Sequence, residues 1–166
     1  MQNQSEFLQF ALGVAREAGD LQLRYFGNIS TVTKKSSNID LLTNADIESE
    51  KLIVSRIRET YPNHSIVSEE SEEILANSNY TWIIDPLDGT TNFTHNLPIF
   101  AVSIALKKSN KIICGVVYNP AADKCFYAET GKGAFLNGEA IYPTKSDALS
   151  DCLLATGFPY LHDHKY

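Results

Sequence analysis

The sequence predicts an α+β fold in which two N-terminal helices pack on a large, mostly antiparallel sheet. Between positions 7 and 25, apolar residues recur at three- and four-residue steps, which is the spacing of one helix face. A second helical pattern follows Thr43, and from Tyr80 onward β-branched and aromatic runs alternate with turn residues. We therefore expect a layer of helices covering one side of an antiparallel meander.

The first helix is expected over residues 7–25, with Gly27 as its stop signal. Gly13 and Gly19 lower the helix propensity of this segment without breaking its apolar pattern. We interpret the segment as an amphipathic helix that covers the sheet, and we assign it no chemistry.

The second helix is expected to start at Thr43 or Asn44, either of which can cap it, and to end near Tyr61. Its buried face should carry Ile47, Leu52, Ile53 and Ile57. Asp46 falls in the first turn, where the helix dipole favours a negative charge. From spacing alone, a helix-start acid is the simpler interpretation of Asp46, and a catalytic acid is the alternative.

Strands are expected at residues 65–67, 80–84, 99–106, 112–118 and 125–128. Beyond them, Gly131, Gly133 and the pair Asn137-Gly138 indicate tight turns. An apolar run that begins at Leu153 and continues to Gly157 has the pattern of one more strand.

The composition is that of a soluble globular protein, since 43% of the 166 residues are hydrophobic and 20% are charged. This length fits one ordinary domain of about 100–200 residues. The formal net charge of −6 argues against a general nucleic-acid binder. It leaves room for a local anion site, because backbone amides and metal ions can reverse the global sign.

The sequence contains neither a transmembrane run nor the basic start and apolar segment of a signal peptide. Cys114, Cys125 and Cys152 are odd in number and include no Cys-x-x-Cys pair, so we expect free thiols. These features predict a cytoplasmic protein without a membrane partner.

A run of acidic residues, Ser68-Glu69-Glu70-Ser71-Glu72-Glu73, follows the short strand at 65–67. Such a run is usually solvated surface. Its first pair, however, stands at the end of a strand, where α/β sites often place ligands. From the residues alone, Glu70 is either a solvated acid or a functional one.

The densest chemistry lies in the stretch Trp82-Ile83-Ile84-Asp85-Pro86-Leu87-Asp88-Gly89-Thr90-Thr91-Asn92-Phe93. Asp85 ends an apolar strand, and Asp88 follows across a turn that Pro86 and Gly89 favour. Two carboxylates this close raise each other's pKa unless a cation lies between them. Oxygen ligands favour magnesium, calcium or manganese, and the Leu87 carbonyl can add a neutral oxygen.

The residues Gly89-Thr90-Thr91-Asn92 then offer unpaired N–H groups at an expected helix start, and such a terminus binds phosphate. Metal ligands beside a phosphate site suggest metal-assisted phosphoryl transfer or hydrolysis. A purely structural turn is the alternative.

The central stretch resembles the signature of the inositol monophosphatase family, a group of magnesium-dependent and typically lithium-sensitive sugar-phosphate phosphatases. The resemblance covers nearly the whole chain and implies a layered α/β sandwich of the sugar-phosphatase type. It is carried further by Lys35-Ser36-Ser37, Asp40-Leu41-Leu42-Thr43 with Asp46, Tyr61-Pro62-Asn63-His64, Ser68-Glu69-Glu70-Ser71, Gly115-Val116-Val117-Tyr118-Asn119-Pro120, Gly131-Lys132-Gly133-Ala134 and Ala155-Thr156-Gly157-Phe158-Pro159.

The resemblance implies a set of ligands. One magnesium ion would be held by Glu70, Asp85 and the Leu87 carbonyl, and a second by Asp85 and Asp88. Glu70 would also reach a third, more weakly bound ion. The amides of Gly89 and Thr90 would hold the phosphate, so that Glu70, Leu87 and Asp88 border the same substrate site.

The resemblance also implies the catalytic groups. Thr90, paired with Asp46, would orient and activate the attacking water. The basic loop around Lys35, which is a solvated loop by default, would be a mobile flap near the site. The implied reaction is hydrolysis of inositol monophosphate, or of a similar polyol or sugar phosphate, by a metal-activated water in a homodimer.

Two alternatives to this function stay open. Sister enzymes that act on 3′-phosphoadenosine nucleotides or fructose bisphosphate share the metal motif. A truncated, non-catalytic interaction protein is the alternative from another class.

The chain departs from the family pattern at two places. Ser68 stands where the family usually has glycine, which bears on loop conformation more than on ligation. Family members also continue into a second half, where an Asp of a Trp-Asp motif completes the second metal site. We therefore expect residues 1–145 to form an N-terminal metal-binding α+β domain and residues 146–166 to begin a truncated C-terminal α/β domain.

Overall fold

The computed structural model describes residues 4–28, 32–34 and 41–155. The basic loop around Lys35 and the end of the apolar run, Thr156 and Gly157, lie outside these ranges. The helices within them are α1 (Glu6–Tyr25), α2 (Asn44–Thr60) and the short α3 (Thr90–Thr94). The strands are β1 (Val32–Lys34), β2 (Leu41–Thr43), β3 (Ser65–Ser68), β4 (Tyr80–Asp88), β5 (Ala101–Lys108), β6 (Lys111–Asn119), β7 (Lys124–Glu129), β8 (Gly133–Leu136) and β9 (Glu139–Ile141).

Helix α1 forms where the apolar periodicity predicts it. Its N-cap is Ser5, whose hydroxyl accepts a hydrogen bond from the Leu8 amide at 3.2 Å. The glycine at position 19 has a packing role, because an added Cβ would lie 2.6 Å from the ring of Tyr118 in β6. The buried stripe of α1 consists of Leu8, Ala11, Val14, Ala15, Ala18, Gly19 and Gln22.

Helix α2 begins with a capping box. The Thr43 hydroxyl accepts from the Ala45 and Asp46 amides, while the Asp46 carboxylate accepts from the Thr43 amide at 2.8 Å. Ile53 and Ile57 are fully buried, as predicted, but Ile47 is 39% exposed. The prediction that Ile47 faces the core was wrong, because the first turn of α2 buries Ala45, Asp46 and Ser49 instead.

Seven strands form one sheet in the order β3-β4-β5-β6-β7-β8-β9. Only the β3–β4 pair is parallel among these neighbours, so the predicted mostly antiparallel sheet is confirmed. The hairpin between β8 and β9 turns at Asn137 and Gly138, both with positive φ, as the Asn-Gly pair predicts. A separate two-stranded sheet, β1 with β2, leads into α2.

The two long helices pack on one face of the seven-stranded sheet. The core between them includes Trp82, Val102, Ile104 and Leu106, all at most 1% exposed. The opposite face carries Ile83, Val117 and Phe126 at 38–43% exposure, and Val117 and Phe126 line an open groove of about 480 Å³. Asp85 lies on this second face, because side chains of a strand alternate and Asp85 is two residues beyond Ile83.

A second, smaller cluster fixes the far end of β4. Ala45, Leu87, Phe93 and Phe100 are buried together, and the Phe93 and Phe100 rings meet edge to face at 4.8 Å. This cluster joins the starts of α2 and α3 to the end of β4, so it brings three candidate site segments together.

Two further expectations can be compared with the structure. The three cysteines are free, with Cys114 and Cys125 buried and Cys152 exposed, as predicted. The strand predicted from Leu153 is wrong for its described part, since residues 152–155 have no regular structure and their side chains are exposed. An apolar run needs a neighbouring strand to become a strand itself, and none of the described residues offers one there.

None of the helices in the described ranges is both long and apolar enough to cross a membrane.

We expect Ile57→Ala to lower the free energy of unfolding by about 2–5 kcal/mol, because it leaves a cavity in a fully buried position. Ile47→Ala on the same helix is the matched control and should cost about 1 kcal/mol or less, since Ile47 is 39% exposed. Urea unfolding followed by circular dichroism measures both. Equal losses in the two variants would contradict the packing described above.

Candidate metal and phosphate site

The strand β4 continues through the Asp-Pro-Leu-Asp segment to Asp88, where the sequence predicted a turn. Asp85 pairs with Ser103 of β5 and Asp88 pairs with Ala101, so two residues of β4 oppose the single Val102. This is a β-bulge, a position that tolerates proline because Pro86 has no N–H to contribute to the ladder. The turn prediction was wrong, since turn-forming residues here bend a strand without ending it.

The Asp85 carboxyl group is partly buried among other acids. Burial, followed by the charges of Glu69 and Asp88, raises its pKa to about 7, although a hydrogen bond from the Leu87 amide opposes this shift. Asp85 also shares a side-chain hydrogen bond with Glu69. Its Oδ1 atom is buried and has no hydrogen-bond partner among the described residues. A buried carboxylate oxygen without a donor marks a place that a cation would stabilise.

The acidic run after β3 supplies the neighbour of Asp85. The Glu69 amide donates to the Ile84 carbonyl at 3.3 Å, which holds the run against β4. The Glu70 amide donates to Ser68 Oγ at 3.4 Å, and the Glu70 side chain is half-buried. Glu69, which the sequence reasoning did not select, shares a side-chain hydrogen bond with Asp85. The position of Glu69 next to Glu70 in the sequence could have indicated that Glu69 also lies near the site. The metal role predicted for Glu70 stays a prediction.

Asp46 and Thr90 meet at the starts of α2 and α3. The Thr90 hydroxyl lies 2.9 Å from Asp46 Oδ1, although the two residues are 44 positions apart. The second oxygen of Asp46 accepts hydrogen bonds from both the amide and the hydroxyl of Thr43. Asp46 is fully buried. The capping box therefore fixes the orientation of the carboxylate that receives Thr90, and Asp46 is a helix-start acid that also faces the candidate site.

Thr90 has a second acceptor. Its hydroxyl lies 3.1 Å from the Leu87 carbonyl as well as close to Asp46. A hydroxyl carries one proton, and a carboxylate oxygen is a stronger acceptor than a backbone carbonyl. Donation to Asp46 leaves the Leu87 carbonyl, which lies in the bulge between the two aspartates, able to accept a cation.

Gly89 is required at the start of α3. Its φ is +91°, and an added Cβ would lie 2.9 Å from the Ile99 carbonyl oxygen. The first helical hydrogen bond of α3 runs from the Phe93 amide to the Gly89 carbonyl at 2.9 Å. The amides that precede it, beginning with Thr90, are thus not used in the helix. Asn92 closes the following loop by donating to the Ile99 carbonyl at 2.8 Å.

The donors fit a hard cation in type. They are carboxylates and a backbone carbonyl, the oxygen ligands that magnesium prefers. In the described part of the chain, no three Asp, Glu, His or Cys side chains converge as a group that could hold a metal ion by themselves. The predicted metal centre takes three carboxylates from this chain, Glu70, Asp85 and Asp88, and their roles as ligands stay predictions.

The fold and the acidic bulge define the class of protein first: an α+β sandwich that presents paired carboxylates beside a glycine-led helix start. Comparison with known proteins then identifies the family. The chain belongs to the inositol monophosphatase family, whose model matches residues 3–166. The sequence resemblance described above is thereby confirmed.

Individual relatives support the same assignment. The chain is 42% identical over 155 residues to human inositol monophosphatase 1, covering 91% of this chain and 56% of that protein. It is 42% identical over 156 residues to the Nus factor SuhB of Escherichia coli K12, covering 92% and 58%. The structure of the extragenic suppressor protein suhB from Bartonella henselae matches with a TM-score of 0.91 and 40% identity, covering 96% of this chain and 63% of that one. The chain thus spans somewhat more than half the length of these relatives.

Gly89→Ala should destabilise the protein more than Gly138→Ala. Both glycines have φ near +90°, which costs an alanine about 1–2 kcal/mol, but only Gly89 has a backbone oxygen in the way of a Cβ. Urea unfolding of the two variants separates the steric contribution from the conformational one. If both variants lose the same stability, then the close approach of residue 99 does not constrain the site.

The pH dependence of stability should report the environment of Asp85. Its folded pKa of about 7 exceeds the ordinary value of 3.8, so the native state binds more protons than the unfolded chain between these values. The stabilisation from this group is complete below about pH 4 and is lost as the pH rises through 7. We expect Asp85→Asn to flatten the fall of unfolding free energy between pH 5 and 8, measured in chelator.

The control for the loss of one negative charge is Glu72→Gln, at an exposed acid of the run that follows β3. In this variant the dependence of the unfolding free energy on pH should equal that of the unsubstituted protein. An unchanged slope in Asp85→Asn would show that Asp85 has an ordinary pKa.

Proposed function

We propose that the protein is a magnesium-dependent phosphomonoesterase that hydrolyses inositol monophosphate or a similar polyol or sugar phosphate. The observation that carries this proposal is the Asp85 carboxyl group, held among acids with one buried oxygen that lacks a partner. Asp85 lies four residues before Gly89, the N-cap of α3, where the free amides of the helix start would accept an anion. Family membership supports the same reaction class.

In this proposal, Glu70, Asp85 and the Leu87 carbonyl hold one magnesium ion, and Asp85 with Asp88 holds a second. Magnesium held by these residues would neutralise the charge of the phosphate and would stabilise the leaving alkoxide. The acid repulsion at Asp85 supports this assignment, because a divalent cation removes the cost of keeping these carboxylates ionised side by side. We also propose the family's lithium sensitivity, a homodimer and a cytoplasmic location.

The residues of the chain itself would bind phosphate and orient the water. The Gly89 and Thr90 amides lie at the start of α3 and would donate to the phosphate oxygens. Thr90 holds its hydroxyl proton toward Asp46 Oδ1, so its lone pairs can accept a hydrogen bond from the attacking water. The fixed orientation of Asp46 supports this role, since positioning provides much of the acceleration in phosphoryl transfer.

The domain boundary at residues 145 and 146 remains a proposal. It is supported by the exposure of residues 142–155, which carry a single 3₁₀ turn, Leu149–Asp151, and no strand. In the same proposal, residues 1–145 are the metal-binding domain, and the following residues begin a second domain.

A second candidate function is a non-catalytic interaction protein. The observation that favours it is the relationship to a protein named Nus factor SuhB, at the same identity as the relationship to human inositol monophosphatase 1. A net charge of −6 makes a protein partner the better match than nucleic acid.

We expect the chain with magnesium to release phosphate fastest from inositol monophosphate, in a panel that includes fructose 1,6-bisphosphate and a 3′-phosphoadenosine nucleotide. Thr90→Val should lower kcat by about 10²–10³-fold, because it removes the hydroxyl that orients the water. Thr91→Val is the matched control, since the exposed Thr91 side chain lies outside the Asp46 contact. Phosphate release measured over time gives both results.

Equal turnover by Thr90→Val and Thr91→Val would contradict the proposed role of Thr90. Fastest release from another member of the panel would identify the sister phosphatase. Magnesium binding without release from any of the three substrates would favour the interaction function.

A further inference from the structure

We propose that Gln22 of α1 is a positioning residue for the candidate metal ligands, acting through the peptide unit between Pro86 and Leu87. The inference rests on the proposed function of this site. Gln22 is fully buried, and its side-chain amide donates to the Pro86 carbonyl at 2.6 Å. The two residues are 64 positions apart, so this bond links the last turn of α1 to the bulge in β4.

The hydrogen bond acts on a rigid group. The Pro86 carbonyl and the Leu87 N–H belong to one planar peptide unit. Gln22 holds its oxygen end, and the N–H at its other end donates to the Asp85 carboxylate. Fixing the carbonyl therefore fixes the direction of the amide that meets Asp85. The same peptide unit precedes the Leu87 carbonyl, the neutral ligand in the proposed set.

The local geometry makes this support necessary. Between Asp85 and Asp88 the register of β4 against β5 shifts, so the regular pairing that orients peptide units elsewhere is interrupted there. Pro86 has no N–H and cannot anchor the bulge by donation. The side-chain amide of Gln22 gives the Pro86 carbonyl a donor from the helix layer at the position where the register shifts.

Burial of the Gln22 side chain has a cost that packing alone does not explain. Its Oε1 atom is buried without a hydrogen-bond partner among the described residues. An apolar side chain of the same length would fill this space without burying an unpaired oxygen. The amide is also fixed in orientation, because exchanging its N and O would turn the oxygen toward the Pro86 carbonyl. The hydrogen bond from the Gln22 side-chain amide to the Pro86 carbonyl therefore explains why a glutamine is buried here.

The closing experiment measures metal affinity, using Mn²⁺ as the probe in electron paramagnetic resonance titrations of the full chain. Gln22→Met keeps the length of the side chain and removes the donor. We expect its Kd for Mn²⁺ to rise about 10–100-fold, the usual effect of losing a group that orients a metal ligand. Gln9→Met is the matched control on the same helix, because Gln9 makes an exposed side-chain bond to the Gln4 carbonyl. Its Kd should stay unchanged.

A folded Gln22→Met protein that binds Mn²⁺ as tightly as the unsubstituted chain would overturn the inference, even if its Tm were lower. That result would leave the proposed function intact. Absence of Mn²⁺ binding by the unsubstituted chain would overturn the proposed metal site and this inference with it.

A measurement on the unsubstituted chain covers the case in which Gln22→Met does not fold. In ¹⁵N spectra, the side-chain amide of Gln22 and the backbone amide of Leu87 should shift together during a Mg²⁺ titration, with one midpoint. The exposed side-chain amide of Gln9 should not shift. A Gln22 amide that is insensitive to Mg²⁺ while Leu87 shifts would contradict the coupling through the peptide unit.

Discussion

The bulge in β4 is the constraint on which the candidate site depends. Two residues of this strand, Pro86 and Leu87, oppose only Val102 of β5. A regular strand would place residues three positions apart on opposite faces of the sheet, and the extra residue changes that relationship for Asp85 and Asp88. Within the bulge, the Pro86 carbonyl accepts from Gln22, and the Leu87 carbonyl lies near the Thr90 hydroxyl.

The grouping of acids around Asp85 is electrostatically unfavourable and therefore depends on the stability of the structure around it. Asp85 is partly buried next to other acids, which opposes its ionisation and makes the charged form of this group unfavourable. The surrounding structure offsets this cost with two buried clusters. The smaller cluster, containing Leu87 and Phe93, lies directly beside the site and holds the ends of β4, α2 and α3 together. A stable apolar frame thus supports a locally unfavourable group of charges.

Sequence patterns predicted much of this structure. Periodicity located α1 and α2, turn chemistry located the hairpin at Asn137, and the start of α2 was correctly assigned to Thr43 or Asn44. Local patterns failed where a tertiary partner decides the outcome. Pro86 and Gly89 are turn-forming residues, yet pairing with β5 keeps the chain extended to Asp88. Leu153 begins an apolar run, yet no described strand adjoins it. Spacing in the sequence could not reveal either circumstance.

From residue spacing alone, the candidate site was predictable as a list of residue types but not as a set of contacts; the pairing of Thr90 with Asp46 was implied only by the family resemblance. The contact between Thr90 and Asp46 joins segments 44 positions apart, and no spacing rule derives it. The role of α1 shows the limit more clearly. Periodicity identifies Gln22 only as a polar residue on a helix, because a buried glutamine and a solvated one are identical in sequence. Its distinguishing feature is the hydrogen bond that it donates to the Pro86 carbonyl, 2.6 Å away, where the register of β4 against β5 shifts. The helix that seemed purely structural from its pattern therefore contacts a segment of the sheet in which the register of strand pairing shifts.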